Sequence, residues 1–184
     1  TQSLKENVKP IVDPFLQQTR NYKKTNITTA RFDYTIPVGT RATMETGYKG
    51  IFRWLDADFR SLYKENDEYI LDPSASNIFQ FKEQIHAAYI LYKSFTGEQS
   101  APKWKYDAGI RLEQVFNNGQ SGGGKTDFNN SYFNFFPSGN LAFYLDKNDF
   151  LKLTYSRRIN RPGLGQLNPF IDITDSLNTH GGNP

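Results

Sequence analysis

The chain has 184 residues, a formal net charge of +3, 15% aromatic residues and no cysteine. These figures exclude disulfides and thiolate metal sites, and the scatter of Lys and Arg among Asp and Glu leaves no basic stripe of the kind that binds nucleic acid. No run approaches about 18 apolar residues, so no transmembrane helix is expected, and strands remain the route across a bilayer.

Residues 1–25 read as an irregular segment leading into the first strand. Lys9-Pro10 and Asp13-Pro14 discourage a regular helix there. No signal peptide begins at Thr1, which reads as a mature chain or an excised piece.

Residues 26–162 read as strands. Thr28, Ala30, Phe32, Tyr34 and Ile36 share one face of the first, with Arg31 and Asp33 opposite. Pro37-Val38-Gly39-Thr40 is a tight-turn composition. The second strand places Met44, Tyr48, Phe52 and Trp54 on one face and Glu45, Lys49 and Arg53 on the other. Residues 61–77 then read as a long polar loop.

In the third strand the parity flips. Phe79, Phe81, Ile85, Ala87, Tyr89 and Leu91 form the apolar set, with Gln80, Lys82, Gln84 and His86 behind them. A link through Gly97 and Pro102 leads to the clearest strand, residues 103–116. There Trp104, Tyr106, Ala108, Ile110, Leu112 and Phe116 alternate with Lys103, Lys105, Asp107, Arg111 and Glu113. Spacing of two, not three and four, is the strand period.

Residues 117–131 read as a second long loop. Phe133, Phe135, Leu141, Phe143 and Leu145 follow, then a turn at 146–149. Leu151, Leu153, Tyr155 and Ile159 alternate with Lys152, Thr154, Ser156 and Arg158 in the last strand. Residues 163–184 read as an extracellular loop toward a further strand.

The fold class expected is all-β: an antiparallel meander of about six long amphipathic strands, part of a transmembrane β-barrel. Short turns at one end and long loops at the other give the layout of an outer-membrane barrel. Trp104, Tyr106, Tyr89 and Phe143 fall near one rim of the apolar face; Phe52, Trp54, Phe79, Phe81, Phe116, Phe133 and Phe135 fall near the other. Two aromatic girdles are expected where rings straddle the headgroups. The same alternation also fits the core of a soluble β-sheet module for binding or structure. Arg53, Arg111, Glu113 and Arg158 are the candidate site residues, facing the lumen on the polar side.

Residues 119–126, Gly-Gln-Ser-Gly-Gly-Gly-Lys-Thr, match the phosphate-binding loop pattern at every fixed position. Such a loop must open a helix, and the following Asp127-Phe128-Asn129-Asn130-Ser131 is poor helix sequence. Nucleotide binding is therefore the remote alternative. His86 and His180 are the only histidines, with no second ligand at metal spacing, and His86 falls on the polar face. No hydrolase triad stands out, so neither catalysis, a cofactor nor a metal is expected.

The C-terminal third carries a longer signature. It runs Tyr132-Phe133-Asn134-Phe135-Phe136-Pro137, then Tyr155-Ser156-Arg157-Arg158-Ile159-Asn160-Arg161-Pro162, then Leu167-Asn168-Pro169-Phe170, then Gly182-Asn183-Pro184. With Asp33-Tyr34-Thr35-Ile36-Pro37-Val38-Gly39 upstream, residues 28–184 resemble the outer-membrane β-barrel family of Bacteroidota, which is related to TonB-dependent receptors. The resemblance implies residence in the bacterial outer membrane. It also implies ligand uptake there, with the lipid bilayer, a plug domain, the remaining barrel strands and TonB as partners. Six strands are fewer than the usual minimum of about 8, so the chain reads as a fragment of a larger barrel. Alone, it is expected to self-associate through its sheet edges.

Overall fold

A computed structural model describes residues 16–122, 126–146, 149–161, 163, 172–175 and 178–180. Six strands form one antiparallel sheet in chain order: β1 (Gln17–Val38), β2 (Ala42–Glu65), β3 (Glu68–Glu98), β4 (Ala101–Ser121), β5 (Thr126–Tyr144) and β6 (Phe150–Ser156). A separate two-stranded sheet pairs β7 (Asp172–Asp175) with β8 (Asn178–His180). The meander expected from the alternation is present. β2 has 24 residues and β3 has 31. A tilted membrane crossing takes about 9–11, so both strands run well past a bilayer.

That length accounts for the missing loops. Residues 61–77 and 117–131 are mostly paired strand, as Leu62↔Leu71 and Asn117↔Asn130 illustrate. The β2–β3 hairpin closes at Asn66 and Asp67, both with positive φ. Two left-handed residues make the turn that suits the right-handed twist of strands, and Asn and Asp tolerate it best. β1 likewise begins at Gln17, because its polar start pairs with the far end of β2 (Gln17↔Tyr63). Residues 1–15 lie outside the described residues.

The β2–β3 ladder shifts once, between Phe59↔Asn77 and Ser61↔Asp72. The extra residues 73–76 contain Pro73, which has no N–H to give a ladder. Asp72 closes this bulge. Its Oδ1 accepts from the Ser74 hydroxyl at 2.5 Å, the Ser74 N–H at 2.9 Å and the Ala75 N–H at 3.3 Å. The Ser74 hydroxyl bond, then the Ser74 and Ala75 amides, hold the Asp72 carboxyl below its ordinary value. The stability they add is complete above the ordinary carboxylate pKa and is lost as pH falls through the depressed one. Carbon NMR titration of Asp72 is expected to give a pKa below about 3.9. Ser74→Ala should raise it, and an unshifted wild-type value would contradict the bulge geometry.

β4 ends at Ser121 and β5 begins at Thr126, so a strand and not a helix follows the glycines. Residues 123–125 lie outside the described ones. The phosphate-loop reading fails on this point. Gly122 instead pins the hairpin to β3, donating its N–H to Asn77 Oδ1 at 2.8 Å and Ile78 O at 3.0 Å. At the other end, the Arg157 N–H donates to Pro137 O, and proline has no N–H to return the bond. There the β5–β6 ladder ends and the chain turns away.

Ladder partners share a face. The register therefore sorts side chains into two sets. The outer set includes Phe32, Tyr48, Ala88, Leu112 and Phe135 along one line of partners, and Tyr34, Thr46, Ile90, Ile110 and Pro137 along the next. Most of its large apolar members are exposed, Leu153 at 70%. Part of the inner set is covered. Leu55, Phe79 and Phe81 form the core, with Ala57 and Phe128 packed on it. Val115 is 0% exposed. A flat single layer cannot seal side chains this way, so the sheet curls over its inner face.

The register corrects the third strand. Phe79, Phe81, Ile85, Ala87, Tyr89 and Leu91 belong to the inner face, while Ile78, Gln80, Lys82, Gln84, His86, Ala88, Ile90 and Tyr92 face out. Phe79, Phe81 and Tyr89 are therefore not girdle residues. At this height of β3 the outer face is polar, with Gln80, Lys82 and Gln84, and the inner face is packed and apolar, with Phe79 and Phe81. His86 is likewise on the outer face, bonded to Tyr48 Oη at 2.7 Å and flanked by Phe52 and Phe116.

Phe128 lies opposite Gly119 in the ladder, with its ring over the glycine where any Cβ would collide. Gly119→Val is therefore expected to cost about 1–3 kcal/mol by overpacking. A lower urea midpoint for the refolded barrel would show it, and an unchanged midpoint would mean that Phe128 is free to move.

Candidate functional site

Charge on the inner face gathers between the aromatic core and the short turns. Arg53 and Glu83 are ladder partners on β2 and β3, and their side chains pair at 2.6 Å. Glu113 on β4 is 1% exposed. One of its carboxylate oxygens accepts from Arg111 at 2.5 Å, and the other meets Arg161. Arg161 reaches it because the chain leaves the β5 edge after Arg157. Burying a carboxylate without partners is costly; here two guanidiniums stand against Glu113. The charge on Arg161 also interacts with Glu83, Arg111 and Arg53. The two pairs thus behave as one cluster of three guanidiniums and two carboxylates.

The cluster borders a cavity of about 450 Å³ lined by Arg111, Glu113, Phe136, Arg157, Arg158 and Arg161 among others. The four candidates from the sequence all lie on this side. Arg111, Glu113 and Arg158 share the cavity, and Arg53 sits on the neighbouring pair. Lys82 does not belong with them, since its register places it outside. Two members were missed. Glu83 is hidden in the sequence by apolar neighbours two residues away, Phe81 and Ile85. Arg161 gives no periodic signal because it lies beyond the last ladder pair.

Further inner-face polar contacts lie toward the short turns. Lys93 holds Glu45 at 2.6 Å. Tyr89 donates its hydroxyl to Asp33 at 2.6 Å, and Arg31 pairs with the same carboxylate. No group of three or more His, Cys, Asp or Glu residues could hold a metal among the described residues. Guanidiniums with fixed carboxylate partners can brace a wall or present donors to an acceptor.

Residues 1–184, the whole chain, match the outer membrane protein β-barrel family. The chain belongs to that family. Its place is accordingly the bacterial outer membrane. Among solved structures it is similar to the ferric citrate transporter FecA in its unliganded form, with a TM-score of 0.50 and 16% identity. The match covers 75% of this chain and 20% of FecA. The chain thus spans about a fifth of that transporter, and the likeness is one of barrel fold. No curated protein sequence matches it.

Proposed function

We infer that this family member is a stretch of the wall of an outer-membrane transporter. Its outer face seats the wall in lipid, and its inner face lines the passage. The observation that carries this reading is the two-sidedness of the sheet. Exposed apolar side chains extend across the six strands on one face, and on the other lie ion pairs whose Glu83 and Glu113 carboxylates are buried. A soluble β-module would cover the apolar face instead.

In this reading the β2–β3 and β4–β5 hairpins project outward and meet the ligand, whose identity stays open. The Arg53–Glu83 pair and the Arg111–Glu113–Arg161 triad hold the wall in shape. β1 and β6, the outermost strands of the sheet, pair with further strands of the complete barrel. A plug domain and energy delivered through TonB belong to the same proposal, as does a source in Bacteroidota. The fold likeness to a ferric citrate transporter supports the transport part.

Two experiments test it. Trp54 and Trp104 both lie on the outer face, so lipid-attached quenchers at headgroup depth should quench both. Cells carrying and lacking the complete protein can then be compared for solutes depleted from the medium. At least one should vanish faster with the protein, and only while the proton-motive force is intact. Equal depletion in both strains would remove the transport reading.

A further inference from the structure

The outer face changes character at the upper end of its apolar band. Three successive rows of ladder partners cross β1 to β5 there, those of Lys82, Gln84 and His86, and no position in them is Asp or Glu. The next row up restores both signs, with Lys24 opposite Asp56 and with Asp127 on β5. Below His86, every outer-face residue of the ladders down to the short turns is uncharged. Lys82 and His86 are therefore the only side chains in these rows or below them that can bring positive charge to the outer face. Lys82 is exposed, and among the described residues no carboxylate lies within ion-pair distance of it. Its ladder partners are Trp54 and Asn118. Trp54 and Phe116 keep 39% and 44% of their surface exposed.

We propose that these rows bind the headgroup of a phosphorylated glycolipid. Lys82 meets a phosphate, the amides of Gln84, Asn118 and Asn129 meet sugar hydroxyls, and Trp54 and Phe116 pack on sugar faces. An amide both donates and accepts, which is what a hydroxyl requires of a partner. Charge complementarity selects the lipid. A zwitterionic phospholipid also presents an ammonium, and these rows hold no carboxylate to receive it. Depth argues the same way. Rows on one face are about 6.6 Å apart along a strand, and strands tilt by about 40°, so three rows cover about 10 Å of depth. A phospholipid headgroup layer fills only about 5–8 Å on each side of the hydrocarbon. A headgroup built of sugars is thicker. Contact with water alone would not exclude one sign of charge, as the mixed row above shows.

The proposal rests on the reading that the outer face meets lipid, and its test separates the two. The complete protein, with p-benzoylphenylalanine replacing Asn118, is placed in vesicles of equal parts lipid A, phosphatidylglycerol and phosphatidylcholine. Photo-adducts are then identified by mass spectrometry. Lipid A should exceed each phospholipid about tenfold, the size expected of one hydrogen bond to a charged group. Lys82→Gln should abolish that enrichment, and so should lipid A stripped of its phosphates, a change that leaves the protein untouched. Lys152→Gln, on the inner face, should leave it intact. Equal labelling of the three lipids, a preference for phosphatidylglycerol, no lipid adduct, or an enrichment indifferent to Lys82 or to the phosphates would each overturn the proposal. The same probe at Ile90, within the apolar band, reports on the barrel reading alone and should give lipid adducts in every variant.

Discussion

Glu113→Ala is expected to destabilise the folded barrel by about 3–5 kcal/mol, the usual consequence of removing one partner from a buried ion pair. The side chain is 1% exposed and stands between Arg111 and Arg161. Its loss leaves two guanidiniums facing each other beside Arg53, with Glu83 as the remaining carboxylate. Glu113→Gln keeps the shape and removes the charge, so it should recover only part of the loss. Removing Arg161 as well should relieve some of the repulsion, which a double-mutant cycle on Glu113 and Arg161 would read as coupling. Arg31→Ala is the contrast. Its pair with Asp33 is exposed, and exposed pairs contribute about 0–1 kcal/mol. Urea unfolding from lipid vesicles measures all of these. Equal, small effects at Glu113 and Arg31 would mean that the cluster is solvated.

The other large effects distinguish the two sides of β3. Ile90→Arg places a charge on the outer face within the apolar band and should cost about 2–4 kcal/mol, whereas Gln84→Arg, nearer the interface, should cost about 0–1. Phe81→Ala opens a cavity on the inner side beside Leu55, Phe79 and Phe128 and should cost about 3–5 kcal/mol. If Phe81 instead faced lipid, as its place in the alternation first suggests, its truncation would be far milder, and Gln84→Arg would place a charge in the lumen. Equilibrium folding in vesicles reads all three substitutions.

β3 also shows what alternation can carry. On β4, Trp104, Tyr106, Ile110 and Leu112 oppose Lys105, Asp107, Arg111 and Glu113, because a strand between lipid and a polar passage has only one greasy side. The strand and the candidates Arg111 and Glu113 were therefore legible. On β3 the rule reverses with height. Phe79 and Phe81 oppose Gln80 and Lys82 above the bilayer, where the greasy side is the packed inside. Lower down, Ala87, Tyr89 and Leu91 oppose Ala88, Ile90 and Tyr92, and both sides are apolar. Only the register to β2 and β4 decides the face. Composition also suggested loops where Asn66 and Asp67 make a two-residue turn, since polar residues suit a strand that stands in water on both sides. Arg161 was out of reach for another reason. Its position depends on Pro137 ending a ladder on a different strand, and that dependence has no period.

The central claim is that the even-numbered side of β3 touches acyl chains below His86 and the odd-numbered side does not. The chain has no cysteine, so single cysteines at residues 85–92 of the complete protein can carry nitroxide labels without background. Collision with oxygen, which concentrates in lipid, should rise at 88, 90 and 92 and fall at 87, 89 and 91. The reverse phase, or no alternation at all, would contradict the account.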